Sequence, residues 1–292
     1  MVTLRQLELL VSMADHGGIT SGGARIGMSQ SSTSHTLSAL ERELNASVVD
    51  RQSREFQLTG MGNRVLGRAR DVFAALAAIE QEGRAAAGAK CGILRLGSFG
   101  ASSSVHLLPT LIEQFRASHP DIEIFVREGT DAAVEQWIRE GGVDLGVVRL
   151  PLDDLDTLHI ASDELVAVLP TGHALAAQPV VTMRELVHYP FILTHAGSQD
   201  MIKQEFQRCG IRPRICHDLA QMHSIMEFVA RGEGVSVVVR LAAPAQYPGV
   251  ELRPLQPMVS RKIGLACRAA DKLSPAAQAF WKIAARKLLI RA

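Results

Sequence analysis

Short hydrogen-bonding side chains crowd the stretch from Ser29 to Ser38, with leucines recurring at Leu37, Leu40 and Leu44. A helix over these residues turns the leucines inward and leaves Gln30, Ser31, Ser32, Ser34 and His35 facing out. Amide, hydroxyl and imidazole groups of this size can approach base edges in a major groove or donate to phosphate oxygens. They also decorate solvated helices, and one segment alone leaves both readings open. Just downstream, Arg51, Arg54, Arg64, Arg68 and Arg70 stand against a single acid, Glu55, a local cationic surplus suited to phosphates or simply to water. The overall charge of +1 decides nothing, because cations can gather on one face of a neutral protein.

Catalytic and metal chemistry find no matching pattern. Gly97-Ser98-Phe99-Gly100 is not a G-x-S-x-G elbow, and neither H-E-x-x-H nor a G-x-x-x-x-G-K phosphate loop occurs. Cys209, Cys216, His217 and His223 fit no zinc spacing. The four cysteines, Cys91, Cys209, Cys216 and Cys267, are scattered as reduced thiols would be. No catalytic residue, metal or cofactor is therefore expected. A length of 292 residues with 47% apolar and 21% charged residues suits two or three globular units. No apolar run reaches the roughly 18 residues of a membrane helix, and the start lacks a signal pattern. A cytoplasmic protein without a membrane partner is the expectation.

The elements that must hold the hydroxyl-rich segment are legible around it. Leu4, Leu7, Leu10, Val11 and Ala14 give helical spacing that ends at His16-Gly17-Gly18. Thr20 is suited to cap a second short helix running through Ala24 and Ile26 to Gly27, and Ser29 to cap the third. Val48 to Arg51 and Arg54 to Leu58 alternate apolar and polar around a polar turn, a small wing. Together they form a winged helix-turn-helix.

With these elements in order, the chain resembles the LysR-type transcriptional regulators along its whole length. The shared positions are Leu4-Arg5-Gln6-Leu7, Ala24, Ser29-Gln30, Ser34, Leu40-Glu41-Arg42-Glu43-Leu44, Arg51, Leu58-Thr59 and Gly62. Gly22, Gly23 and Gly27 stand where such proteins have better helix formers, and each interior glycine costs about 1 kcal/mol relative to alanine, so a weak second helix is expected. Ser31 replaces a frequent proline, and Ser32, His35 and Thr36 replace frequent basic residues. The resemblance implies double-stranded DNA as partner, met by Thr20, Gln30, Ser31, Ser32, Ser34, His35, Arg51, Arg54 and Thr59. It leaves RNA polymerase open as a further partner.

From Thr59 a long helix places Val65, Ala69, Val72, Leu76, Ile79 and Gly83 at steps of four and three, a coiled-coil rhythm. Such a seam seeks a partner helix or the chain's own next domain. The resemblance implies the partner, and hence a homodimer or homotetramer. Gly83 to Gly88 reads as a hinge.

Beyond Gly92, strand and helix signals alternate through Val148 as a parallel α/β sheet. A second set runs from Leu165 to Val239, and Ile263–Cys267 with a helix from Pro275 returns to the first lobe. The crossings fall near residues 161–164 and near Arg261. This resembles the two-lobed, periplasmic-binding-protein-like (type 2) α/β effector domain of the same family. The expected division is a DNA-binding domain at 1–58, a linker helix at 59–87 and an effector domain at 88–292. Lobe I takes 88–162 and 265–292, and lobe II takes 163–264.

Ligands of open α/β sheets sit beyond the strands' carboxyl ends, near helix N-termini. That rule selects Ser98, Ala101, Ser102, Ser103, Thr130, Arg149, Thr194, His195 and Ser198. Hydroxyls, helix N-termini and one arginine favour an anionic or polar small-molecule effector, although serines and threonines also cap helices and Arg149 also suits an interlobe salt bridge. Peroxide sensors of the resembling family carry a cysteine pair in lobe II. Their first cysteine falls where this chain has Gly197-Ser198, and Cys209 and Cys216 lie later. A solute-binding protein without DNA function and an enzyme using the cleft remain the alternatives. The first predicts metabolite binding without salt-dependent DNA affinity, the second turnover.

Overall fold

The computed structural model describes residues 1–53, 55–86, 92–195 and 197–291. Arg54, Cys91 and the end of the expected 83–88 hinge lie outside the described residues. The chain divides into two compact units, Met1–Cys91 with Arg139–Val143, and Gly92–Ile138 with Asp144–Ala292.

In the first unit, α1 (Leu4–Asp15) starts at a capping box in which Gln6 N–H donates to Thr3 Oγ1 and Thr3 N–H to Gln6 Oε1 at 2.8 Å. Its buried stripe is Leu9, Leu10 and Met13, whereas Leu4, expected inside, is 50% exposed. The inward face is set by the approach of the next helix to Met13. That helix, α2 (Ile19–Arg25), begins at Gly18, so Thr20 lies inside it, exposed, and caps nothing. The reason is the left-handed turn at Gly17 (φ +64), which lets Gly18 carry the first helical carbonyl, accepting from Gly22 N–H at 3.0 Å.

The glycines of α2 have a packing purpose that their helix propensity hides. A methyl at Gly22 would lie 2.5 Å from Met13 Cα, and one at Gly23 would lie 2.0 Å from Thr33 Oγ1. Real Cβ atoms do not come so near, so both glycines let α2 press its backbone against α1 and against α3 (Gln30–Leu44). Ser12 Oγ donates to Gly22 carbonyl at 2.8 Å across the same contact. The expected weakness of α2 is thus the condition for its close approach.

Ser29 caps α3 as the sequence suggests, accepting from Ser32 N–H at 3.3 Å, and Asn45 ends it in the left-handed conformation (φ 49). Leu37 and Leu40 are buried with Val48, Val49 and Leu66 in one core. The wing is a minimal antiparallel pairing of Val49 with Leu58, extended by Asp50 N–H to Gln57 carbonyl at 2.9 Å.

Thr59 caps α4 (Gly60–Ala86), accepting from Gly62 N–H at 2.9 Å while donating to Ser47 carbonyl at 2.7 Å. A Cβ at Gly62 would meet Val48 carbonyl oxygen at 2.1 Å, which explains a glycine inside a helix at that turn. Gly62→Ala should therefore lower the unfolding midpoint, by about 1–3 kcal/mol of stability measured in urea. An unchanged midpoint would mean that the wing can retreat. The regular seam on α4 divides in two. Val65 packs against the core beside Leu66 and Ala69 is buried, whereas Val72 is 37% and Ile79 63% exposed.

In the second unit, β1 (Gly92–Phe99), α5 (Leu108–Ser118), β2 (Ile122–Gly129), α6 (Asp131–Glu140) and β3 (Leu145–Leu150) follow the alternation expected, with a π-helical turn at Ser102–Leu107 before α5. Then come β4 (Asp156–Pro170), α7 (Met183–Leu186), β5 (Pro190–Thr194), α8 (Gln199–Arg208), β6 (Arg214–Leu219), α9 (Met222–Ala230), β7 (Val235–Val239), β8 (Val250–Pro254), β9 (Ser260–Cys267) and α10 (Pro275–Arg291). Strand order is β2-β1-β3-β9-β4-β7-β5-β6, with β8 beside β4.

The expected all-parallel sheet of lobe I is mixed. β1 pairs in parallel with β2 and β3, but β9 and the first half of β4 run antiparallel because they belong to the returning hinge strands. The long β4 serves both lobes, pairing with β9 through Glu164 and with β7 from Leu165. Leu165 N–H donates to Val259 carbonyl at 2.8 Å beside this change of partner. The sequence reading missed the strand before Ala161 and β8, whose half-exposed residues blur the apolar run. Leu94, Leu96, Phe115, Ile138 and Phe280 are among the buried residues of lobe I, while Phe191, Phe206, Leu169 and Val237 cluster in lobe II.

Candidate DNA-reading face and interlobe cleft

Burial sorts the residues of α3 cleanly. Gln30, Ser31, Ser32, Ser34, His35 and Ser38 are all exposed along one side, while Thr33 is 1% exposed, with its hydroxyl donating to Ser29 carbonyl at 2.9 Å. Apart from Ser31, whose hydroxyl lies 3.1 Å from that of Ser29, the face carries side chains available to an outside partner. Arg51 is less available: it donates to Glu41 Oε2 at 2.8 Å, and Glu41 Oε1 in turn accepts from Val48 N–H at 3.0 Å. This chain fastens the wing's base to α3. Thr59 is spent on its cap and on Ser47. Arg25, at the end of α2, is an exposed cation that sequence reasoning passed over because it stands alone.

The residues expected to line the cleft lie in different settings. Ser98 and Ser103 are fully buried and satisfy each other, Ser98 Oγ donating to Ser103 Oγ at 2.9 Å, while Ala101 opens the π-helical turn. Ser98 Oγ also lies 2.6 Å from Ser104 Oγ, which donates to Glu128, so these hydroxyls tie the β1 loop to β2. Thr130 is exposed and caps α6 through Ala133 N–H at 3.2 Å, as its position predicts. Thr194 and Ser198 are buried at the end of β5 and the start of α8. His195 is exposed beside Asp218, Nε2 to Oδ1 2.7 Å.

Ser102 belongs to a constellation that residue types alone did not reveal. Arg261, with its side chain only 3% exposed, donates through Nη2 to Ser102 Oγ at 2.8 Å and to Asp163 Oδ2 at 2.9 Å. Asp163 Oδ1 accepts from Leu241 N–H and Glu164 N–H, both at 2.9 Å. The β1 loop, both hinge strands and the segment after β7 are thereby tied at one point. The available signal was an acid and a base inside otherwise apolar strands that must cross between lobes. Arg149 is half-buried and forms no ion pair among the described residues, and the contact of Arg261 with Ser102 is the one that joins the two expected lobes here.

Asp131, at the start of α6, faces the lobe II loop: a methyl at Gly197 would lie 3.4 Å from its Oδ1. Burial raises its carboxyl above the ordinary range, opposed by the positive fields of Arg261 and Arg149. A carboxyl raised by folding holds its proton more tightly in the folded chain. Its contribution is most favourable below the unfolded value and is lost as pH climbs through the folded one. Asp131→Asn should accordingly raise stability near neutrality and flatten that decline, read as Tm between about pH 4 and about pH 8. A variant less stable than its parent at neutrality would show instead that the carboxylate makes a needed contact.

Burial pushes the Cys267 thiol up to about 11, which removes it as a nucleophile. Cys209 Sγ lies 3.7 Å from Glu205 Oε1, and Cys216 donates to Phe191 carbonyl at 3.3 Å, so the two lobe II thiols engage different partners. Among the described residues, no group of three or more His, Cys, Asp or Glu is placed to hold a metal ion, and no helix is long and apolar enough to cross a membrane.

The chain matches the LysR substrate binding domain over residues 87–289 and the bacterial regulatory helix-turn-helix protein of the lysR family over residues 4–63. It is 31% identical over 282 residues to the probable HTH-type transcriptional regulator LrrA of Synechococcus elongatus, covering 96% of this chain and 95% of that one. Full-length OxyR from Pseudomonas aeruginosa, solved as a single-substitution variant, superposes with a TM-score of 0.73 at 23% identity over 99% of this chain and 95% of its own. The effector binding domain of QuiR, solved with shikimate, reaches a TM-score of 0.60 at 24% identity, covering 67% of this chain and 96% of its own. With a winged helix-turn-helix before a two-lobed α/β domain, and both segments matched, the protein belongs to the LysR family of transcriptional regulators.

Proposed function

We propose that the chain is a sequence-specific regulator whose hold on double-stranded DNA responds to a small polar or anionic metabolite bound between the lobes. One observation carries the DNA half: an uninterrupted exposed row of amide, hydroxyl and imidazole groups on α3, on a helix held rigidly by its buried face. The effector half is supported by Thr130, Arg149 and Ser102 near the carboxyl ends of lobe I strands, and by the effector binding domain of QuiR, of similar fold, which was solved in complex with shikimate. The exposed Val72 and Ile79 of α4 supply the apolar surface through which two subunits, as a homodimer or half of a homotetramer, would present paired α3 helices. The working domains are residues 1–58, 59–87 and 88–292, acting in the cytoplasm.

The test is retention of duplex DNA from upstream of the protein's own gene. Gln30→Ala should cost about 1–3 kcal/mol on that DNA and little on unrelated sequence, with the salt dependence unchanged. Equal losses on both DNAs would assign Gln30 to phosphate contact. Full-length protein that retains no duplex at low ionic strength would overturn the reading.

A further inference from the structure

Lobe II contains a cavity of about 400 Å³ away from the interlobe loops, between β4, β8, α9 and the segment from Arg240 to Tyr247. The volume lies at the small end of ligand sites, which span roughly 300–1,000 Å³. Val166, Met226, Val250 and Leu252 give it an apolar lining, and Tyr247 closes one side with its hydroxyl already donated to Glu227.

Three charged side chains line it, and they differ in one respect. Arg253 is fully engaged, donating to the carbonyls of Ala176 and Gln178 and to Glu251. Glu164 precedes and Arg240 follows the Leu165–Val239 pair that ends the β4–β7 ladder, and both line the cavity. Neither forms an ion pair with the other or with any neighbour among the described residues. Opposite charges without an ion-pair partner, beside the apolar side chains of a cavity of molecular size, form a template for a ligand carrying both complements.

We propose that this cavity is a second ligand site, separate from the cleft, which binds a small zwitterion with an apolar body. A carboxylate would meet Arg240, an ammonium would meet Glu164, and the apolar part would lie on Val166, Met226 and Leu252. An α-amino acid with a hydrophobic side chain has this arrangement. The site also adjoins the hinge at Asp163: Glu164 follows it in β4, and Arg240 precedes Leu241, whose N–H donates to Asp163 Oδ1. Occupancy therefore pulls on the residues that flank the buried Asp163–Arg261 pair, a route to modulating lobe geometry without entering the cleft. The site does not depend on the DNA reading and is tested without DNA.

The experiment uses full-length protein carrying ¹³C-methyl methionine, with the Met226 resonance assigned from Met226→Leu. L-leucine, L-methionine and L-phenylalanine are titrated, beside 3-phenylpropanoate and phenethylamine as half-charged controls. At least one of the amino acids should shift the Met226 signal saturably, and both half-charged controls should bind about tenfold more weakly than that amino acid. Arg240→Gln and Glu164→Gln should each weaken the amino acid by about tenfold, while Arg149→Gln, in the cleft, leaves it unchanged. Absence of a saturable Met226 shift with all three amino acids would overturn the proposal. So would a shift that survives both cavity variants or disappears with Arg149→Gln.

Discussion

Gly22→Ala is expected to destabilise the amino-terminal unit by roughly 3 kcal/mol, at or above the upper end of overpacking losses, despite alanine's better helix propensity. The two effects oppose each other, and their sizes decide the sign. Alanine gains about 1 kcal/mol in a helix interior. The added methyl, however, would lie 2.5 Å from Met13 Cα and 2.6 Å from Met13 nitrogen. These are backbone atoms of α1 and have no rotamer by which to retreat. Gly23→Ala meets a side chain instead, with Thr33 Oγ1 at 2.0 Å, Cγ2 at 2.8 Å and Cβ at 2.9 Å.

The pair of variants therefore separates two kinds of obstruction. Thr33→Ala should recover part of the loss from Gly23→Ala by removing the oxygen and a methyl. No change of the Met13 side chain should recover Gly22→Ala, because its obstruction is main chain. Urea unfolding followed by circular dichroism reads both, and DNA retention should fall in parallel because α3 packs on the same contact. A Gly22→Ala protein more stable than its parent would mean that propensity outweighs packing and that α2 can shift at little cost.

These glycines also mark where sequence reasoning stopped. Periodicity located α1, α3 and α4 because their apolar residues repeat at helical spacing, although it did not tell which of them are buried, and Ser29 and Thr59 showed their caps by type and place. A close backbone contact leaves no such trace: Gly22 and Gly23 read as poor helix formers until Met13 and Thr33 are seen against them. The effector domain divides similarly. Its strand and helix alternation was legible, but the direction of β9 and the shared role of β4 depend on which strands pair across some hundred residues. Among the cleft residues, position beyond a strand identified the β1 loop and Thr130 yet could not tell a hydroxyl turned to its neighbour, as in Ser98, from one joined to the hinge, as in Ser102. That distinction rests on Arg261, whose partner is distant in sequence.

Asp163→Leu is the second substitution with a large expected effect, about 3–5 kcal/mol of lost stability in the effector domain, because it strands a buried guanidinium. Arg261 would keep only Ser102 Oγ as a hydrogen-bond acceptor, and the N–H groups of Leu241 and Glu164 would lose theirs. Arg261→Met removes the cation and leaves a carboxylate still held by those two N–H groups, so it should be the milder single variant. The double variant should be more stable than Asp163→Leu, since apolar pairs often match buried ion pairs once neither charge is left alone. It should remain below the parent, because the two orphaned N–H groups each cost about 1–3 kcal/mol when buried. Urea midpoints of the four proteins form a double-mutant cycle, and a coupling energy near zero would show that the pair is not a unit. A large coupling, together with DNA retention that no longer responds to added metabolite in the folded double variant, would place transmission between lobes in this ion pair. The apolar replacement preserves the packing of β4 on β9 but discards the directional hold on Ser102 and Leu241, and a hinge needs that direction to register a change in the cleft.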